Sequence, residues 1–191
     1  MTPTPEPTVP PTETPVVPTP TPTQEPENLE PRIIFDDAVS DNWIMGSWGT
    51  VSKNPLNKDP VFSGENSIEV SLANAWSTLF FEAKGSETAN KLYAATFDVY
   101  GSADTVQTVE LEILTKNYQQ IAIQTVVIQP GQWSNLEVVL APITLRDEIG
   151  YVTMKNASSA DAFYIDNLTL SMLPVGVVNL ENQIYLPFVA R

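Results

Sequence analysis

The 191-residue chain contains no histidine and no cysteine, which removes most of the side chains that do covalent chemistry. A Ser-His-Asp triad, a thiol nucleophile and an imidazole-based zinc site are all excluded. The few glycines are scattered and form no phosphate-cradling loop. Carboxylates and aromatic rings remain. Glu110 and Glu112 stand two residues apart, so a strand carries both on one face. A paired-carboxylate hydrolase needs such acids, but alternate acids on a solvated strand face are the ordinary arrangement, and catalysis is not expected. Trp43, Trp48, Trp76, Tyr100 and Tyr118 offer flat ring faces, with Gln119, Gln120, Gln124 and Glu112 as polar partners. Such rings stack on apolar C–H faces while amides and carboxylates bond hydroxyls, which is the chemistry of non-covalent recognition. Tyr118 is the most exposed by context, within the hairpin Thr115-Lys116-Asn117-Tyr118-Gln119. For Trp43 and Trp76, binding and core filling are both open, and no two of these rings can be assigned to one sheet face.

The elements that must position these residues are short strands. Runs rich in Val, Ile, Thr, Phe and Tyr recur every ten to fifteen residues, separated by Gly, Asn, Asp and Pro. Strands are predicted near Arg32–Asp37, Trp48–Ser52, Ser67–Leu72, Thr78–Ala83, Tyr93–Tyr100 and Val106–Thr115. More are predicted near Ile121–Ile128, Asn135–Leu140, Gly150–Lys155 and Phe163–Ser171. Val109, Leu111 and Ile113 share one face with Glu110 and Glu112 on the other, and Leu136, Val138 and Leu140 alternate likewise. No helical stripe persists beyond a turn or two, and no internal repeat is evident. The predicted fold is all-β, a two-sheet antiparallel β-sandwich of the jelly-roll kind.

Before the strands lies a segment of another character. Residues 1–31 hold 11 of the 17 prolines, interleaved with threonine and glutamate. So little apolar surface cannot offset chain entropy, and proline favours an extended polyproline II rod, on the order of 90 Å for thirty residues. Thr-Pro steps at Thr2, Thr4, Thr19 and Thr21 suit O-glycosylation. A spacer of this kind predicts an extracellular or cell-surface protein. Met1 leads directly into the spacer, so an export signal or upstream domain is expected to be missing from this chain. Nine basic against 23 acidic residues give a net charge of −14. That charge argues against nucleic acid and anionic membranes as partners, and no apolar run is long enough to span a bilayer.

Several segments together resemble the galactose-binding-like, jelly-roll carbohydrate-binding modules of bacteria. They are Phe35-Asp36-Asp37, Asn42-Trp43, Phe62-Ser63-Gly64-Glu65-Asn66-Ser67-Ile68-Glu69-Val70 and Trp76-Ser77-Thr78-Leu79-Phe80-Phe81. Leu92–Gly101, Gly131-Gln132-Trp133, Leu136–Leu140 and Phe163–Leu168 complete the pattern, which spans about Ile33 to Met172. The resemblance implies a non-catalytic module that holds a parent protein on polysaccharide, with Trp43, Trp76, Tyr118 and Gln120 as sugar-binding candidates. It also implies a structural calcium held by Asp36, Asp37 and Asp166, with a carbonyl from Ser63-Gly64-Glu65 completing the six to eight oxygens that calcium takes. Asn167 stands where a second acid is usual. The same pattern buries Trp133 in the core.

Asn156-Ala157-Ser158 and Asn167-Leu168-Thr169 match the N-linked acceptor pattern at Asn156 and Asn167. The chain ends in Ile184–Val189, a short apolar, β-prone run that needs a sheet edge, its own or a neighbour's. It resembles a terminal tail of secreted bacterial proteins with Pro/Thr stalks, which implies surface attachment. Three parts are predicted: a stalk over 1–31, a sandwich over 32–172 and an extension over 173–191. Two function classes follow. One is a tethered carbohydrate-binding module; the other is a structural subunit of a glycosylated extracellular fibre, assembled from copies of itself through stalk and tail.

Overall fold

The computed structural model describes residues 30–88, 92–102, 104–139 and 148–172. Residues 1–29 of the predicted stalk and the apolar tail, with Thr2, Thr4, Thr19, Thr21 and Ile184–Val189, lie outside the described residues.

Twelve strands are present and no helix occurs among the described residues. In chain order they are β1 Arg32–Asp36, β2 Ala38–Val39, β3 Trp43–Trp48, β4 Val51–Asn57, β5 Ser67–Leu72 and β6 Thr78–Thr88. Then come β7 Leu92–Gly101, β8 Gln107–Thr115, β9 Gln120–Ile128, β10 Trp133–Val139, β11 Glu148–Lys155 and β12 Phe163–Met172. Every pairing between them is antiparallel. They form two sheets, and the sandwich predicted from period-two patterning is what the chain builds. Sheet B runs β3-β6-β11-β8-β9. Sheet A runs β10-β7-β12, and beyond β12 it divides: Phe163–Ile165 pair with β5, which pairs with β4, whereas Leu168–Leu170 pair with β1.

The core is the inner set of each alternation. Leu79 and Phe81 of β6, Leu111 and Ile113 of β8, and Val152 and Met154 of β11 face Phe97 of β7 and Phe163 and Ile165 of β12. Strands half-buried in this way are held by one apolar face, and a one-residue slip would turn every such face to water.

The predicted strand Trp48–Ser52 is broken at Gly49-Thr50, a turn that ends β3 at Trp48 and starts β4 at Val51. Gly49 takes φ 71° and lies so close to the Trp76 carbonyl that a Cβ would sit 2.9 Å from it. β4 escaped prediction because it contains Pro55 and two asparagines; as an edge strand paired only to β5 it tolerates a missing donor.

Candidate functional site

Sheet B carries an aromatic platform on its outer face. Alternation turns Trp48 of β3, Phe80 of β6 and Tyr151 of β11 away from the core, and Tyr118 folds over from the β8–β9 hairpin. Trp48 and Phe80 have ring centroids 4.6 Å apart, and Tyr118 and Tyr151 stack at 4.9 Å with an interplanar angle of 16°. Trp48 lies 5.9 Å from Tyr151 and 6.0 Å from Tyr118, joining the two pairs. Trp48 is 40% and Tyr118 60% exposed.

Two glycines make this assembly sterically open. Gly46 stands opposite Phe80, and a Cβ there would fall 2.1 Å from the ring's Cζ, so the ring lies over bare backbone. A Cβ on Gly150 would meet Lys116 backbone at 2.5 Å, so its absence lets the hairpin cross β11. Within the hairpin, the Thr115 hydroxyl accepts the N–H of Asn117 at 3.2 Å and of Gln119 at 3.0 Å. Tyr118 is held at φ 62°, a left-handed conformation that bulky residues seldom adopt. That conformation closes the three-residue hairpin loop, in which the Tyr118 N–H donates to the Thr115 carbonyl at 3.0 Å and the Thr115 N–H to the Gln119 carbonyl at 2.8 Å.

Polar groups line the rings. The Tyr118 and Tyr151 hydroxyls are 3.1 Å apart, and Tyr151 donates to Glu82 Oε1 at 3.3 Å. The bond with Tyr118, then burial, then the charge of Glu82 push the Tyr151 phenol well above its ordinary range, so it remains a neutral donor. Lys155 Nζ binds Glu112 Oε2 at 2.7 Å, and Asn156 donates to Glu110 Oε2 at 2.6 Å. Glu112 is buried, so this is not the freely solvated face expected for the two acids. Both carboxylates are engaged by neighbours.

The sugar-binding candidates divide. Tyr118 belongs to the platform. Gln120, exposed, opens β9 opposite Leu114, the neighbour of Tyr151 across the sheet. Trp76 is 86% exposed on the loop before β6, two residues from Thr78, which pairs with Trp48. Trp43 is a correction: it is 3% exposed, faces inward opposite Ala83 and fills the space that this small residue leaves. Gln124 lies opposite inward-facing Leu111 and so falls off the platform. Phe80 and Tyr151 were missed. Period two offered a signal for both, since Phe80 alternates with Leu79 and Phe81, and Tyr151 with Val152.

Tyr100 lies on the other sheet. There Trp133, Tyr100 and Tyr164 stand opposite one another on β10, β7 and β12. Trp133 is therefore not a core residue; it is half-buried on the outer face of sheet A.

The three aspartates do not gather as a calcium site. Asp36 is exposed, and among the described residues no three His, Cys, Asp or Glu side chains come together to hold a metal. Asp37 and Asp166 do converge, on the loop before β5, but they meet amide donors where calcium would need oxygens. Asp166 Oδ2 accepts the N–H of Phe62 at 3.0 Å and of Ser63 at 3.1 Å, and Oδ1 accepts that of Asn167 at 2.8 Å. Asp37 Oδ1 accepts the N–H groups of Glu65 and Asn66. Those bonds, Asn66 first, hold Asp37 below its ordinary range, whereas burial pushes Asp166 up. Gly64, at φ 66°, leaves room for the Asp37 carboxylate, which a Cβ would approach to 2.3 Å. This donor set fits a loop clasp and does not fit calcium.

Both N-linked candidates have their side-chain nitrogen engaged: exposed Asn156 donates to Glu110 Oε2, and half-buried Asn167 donates to Asp98 Oδ2 at 2.9 Å and accepts from Ser63 at 3.0 Å.

No family model and no curated protein matches the sequence. Solved structures do match in fold. A variant of a family 29 carbohydrate-binding module is 11% identical, with 74% of this chain covering 91% of that one at a TM-score of 0.56. The family 11 module from Clostridium thermocellum, in complex with a β-1,3-1,4-mixed-linked tetrasaccharide, is 14% identical, covering 76% and 98% at 0.55. An agarase is 11% identical, with 75% of this chain on 25% of that one at 0.54. The chain thus shares the β-sandwich of carbohydrate-binding modules, the architecture its strand pattern resembles.

Proposed function

We propose that this protein is a non-catalytic carbohydrate-binding module that holds a neutral polysaccharide on the outer face of sheet B. The observation that carries this reading is the convergence of Trp48, Phe80, Tyr118 and Tyr151 from four separate elements onto one outward face. Flat rings stack on pyranose C–H faces, and Glu82, the tyrosine hydroxyls and Gln120 supply hydrogen bonds to sugar hydroxyls. Glu82, Glu110 and Glu112 outnumber Lys155, whose charge Glu112 already balances, so uronate or sulfated chains are disfavoured. The saccharide complex of the family 11 module supports a glucan as the first ligand to try. On this reading the Thr-Pro segment is an O-glycosylated tether in an extracellular setting.

The test is native electrophoresis through gels containing mixed-linkage β-glucan, hydroxyethylcellulose or polygalacturonate. The intact chain should be retarded by a neutral polymer and not by the anionic one, and Trp48→Ala or Tyr118→Ala should weaken that retardation by about tenfold. Equal migration of all three proteins in every gel overturns the proposal.

A further inference from the structure

Sheet A carries a second row of rings on its outer face. Trp133, Tyr100 and Tyr164 lie in register across three hydrogen-bonded strands, and the row continues to Glu69 on β5. Trp133 and Tyr100 are 5.6 Å apart and Tyr100 and Tyr164 5.9 Å. Phe62, 50% exposed, stands edge-on to Trp133 at 5.6 Å and forms one wall. Elsewhere this outer face is polar: Asn135 stands opposite Asp98, and Glu137 opposite Thr96.

The overlying loop meets the row at Phe62 on Trp133 and at Asp59 beside Tyr164, and leaves all three rings partly exposed. That loop is fixed by its own amides on Asp37 and Asp166, and Phe62 remains half in solvent. We propose that the row Trp133-Tyr100-Tyr164, walled by Phe62, is a second saccharide-binding surface, so that one molecule grips two strands of neutral glycan on opposite faces. The ligand class rests on the reading of sheet B given above. The polar end of the row suits hydroxyls, because Glu69 accepts them and Tyr164 donates. Burial first, then the charge of Glu69, raises the Tyr164 phenol, which stays protonated. Charge also selects the occupant. Glu69 and a net charge of −14 repel anionic polymers and the chain's own spacer, which carries Glu6, Glu13, Glu25, Glu27 and Glu30 and no basic residue.

A module with two faces cross-links its ligand, and light scattering of soluble mixed-linkage β-glucan reads this directly. The full chain should raise scattering with glucan and not without it. Tyr118→Ala and Tyr164→Ala should each abolish the rise while still being retarded in glucan gels, with binding about tenfold weaker. Phe62→Ala, on an exposed ring, should act as Tyr164→Ala does, and melting curves show that each variant is folded. If Tyr164→Ala and Phe62→Ala scatter and bind as the wild type does, the second surface is wrong and the first stands. If Tyr118→Ala removes all binding, the second surface is likewise wrong. If Tyr164→Ala removes all binding and Tyr118→Ala none, sheet A binds and the sheet B reading fails. Scattering without glucan shows self-association, and no binding by the wild type overturns both surfaces.

Discussion

Replacing Gly46 by alanine adds one methyl group, and the structure specifies what that methyl meets. Its carbon would lie 2.1, 2.5 and 2.9 Å from three atoms of the Phe80 ring. Ordinary contact begins near 3.4 Å, so the ring edge must retreat by about 1.3 Å. Backbone strain is not involved, because Gly46 is not among the positive-φ glycines. Retreat breaks the 4.6 Å packing of Phe80 on Trp48, a pair worth about 0.5–1.5 kcal/mol. At about 1 kcal/mol, melting should fall by roughly 3 °C for a domain of this size. Binding should suffer more, since both Trp48 and Phe80 leave their positions: retardation in glucan gels should weaken by about tenfold or more, equivalent to about 1.4 kcal/mol. Trp48 fluorescence should change with it. Gly85→Ala, where an added Cβ meets nothing within 4 Å, is the matched control and should alter neither property. Unchanged retention by Gly46→Ala, with the fluorescence change present, would refute the role assigned to the Trp48–Phe80 pair.

Three further outcomes follow from the clasp on sheet A. Asp166→Ala leaves the N–H groups of Phe62, Ser63 and Asn167 without their acceptor and should cost about 2–4 kcal/mol in denaturant unfolding. Because amides rather than oxygens fill this site, neither calcium nor a chelator should shift the melting temperature, whereas a resident calcium would give a clear rise on addition. Asp37 titrates below its ordinary 3.8 in the folded chain, so its contribution is present above that value and lost as pH falls through the folded pKa. The stability difference between wild type and Asp37→Asn should therefore shrink in acid melts toward pH 3, and a constant difference would contradict the clasp.

The fold was legible because its physics is local. Val109, Leu111 and Ile113 had to share a buried face whatever their partners, and the same holds for Phe163 and Ile165. β3 was obscured by Gly46, a weak strand former kept for the Phe80 ring, and β4 by Pro55. Within the site, alternation alone turned Phe80 and Tyr151 outward. What the sequence did not disclose was which strands are neighbours. β3, β6 and β11 adjoin in sheet B although more than a hundred residues separate Trp48 from Tyr151, so Trp43 could not be told from Trp48. Asp37 and Asp166 were correctly brought to one place, yet their donors are backbone N–H groups, which carry no residue signature.

The central claim is that sheet B is a glycan-binding face, and the four tryptophans test it most directly. Each indole N–H gives one resonance in a nitrogen-edited proton spectrum of the full chain titrated with mixed-linkage glucan oligosaccharides. The Trp48 signal should move progressively to saturation, and that of core-buried Trp43 should stay in place. A saturating titration in which Trp48 does not move, or no response of any indole, contradicts the account.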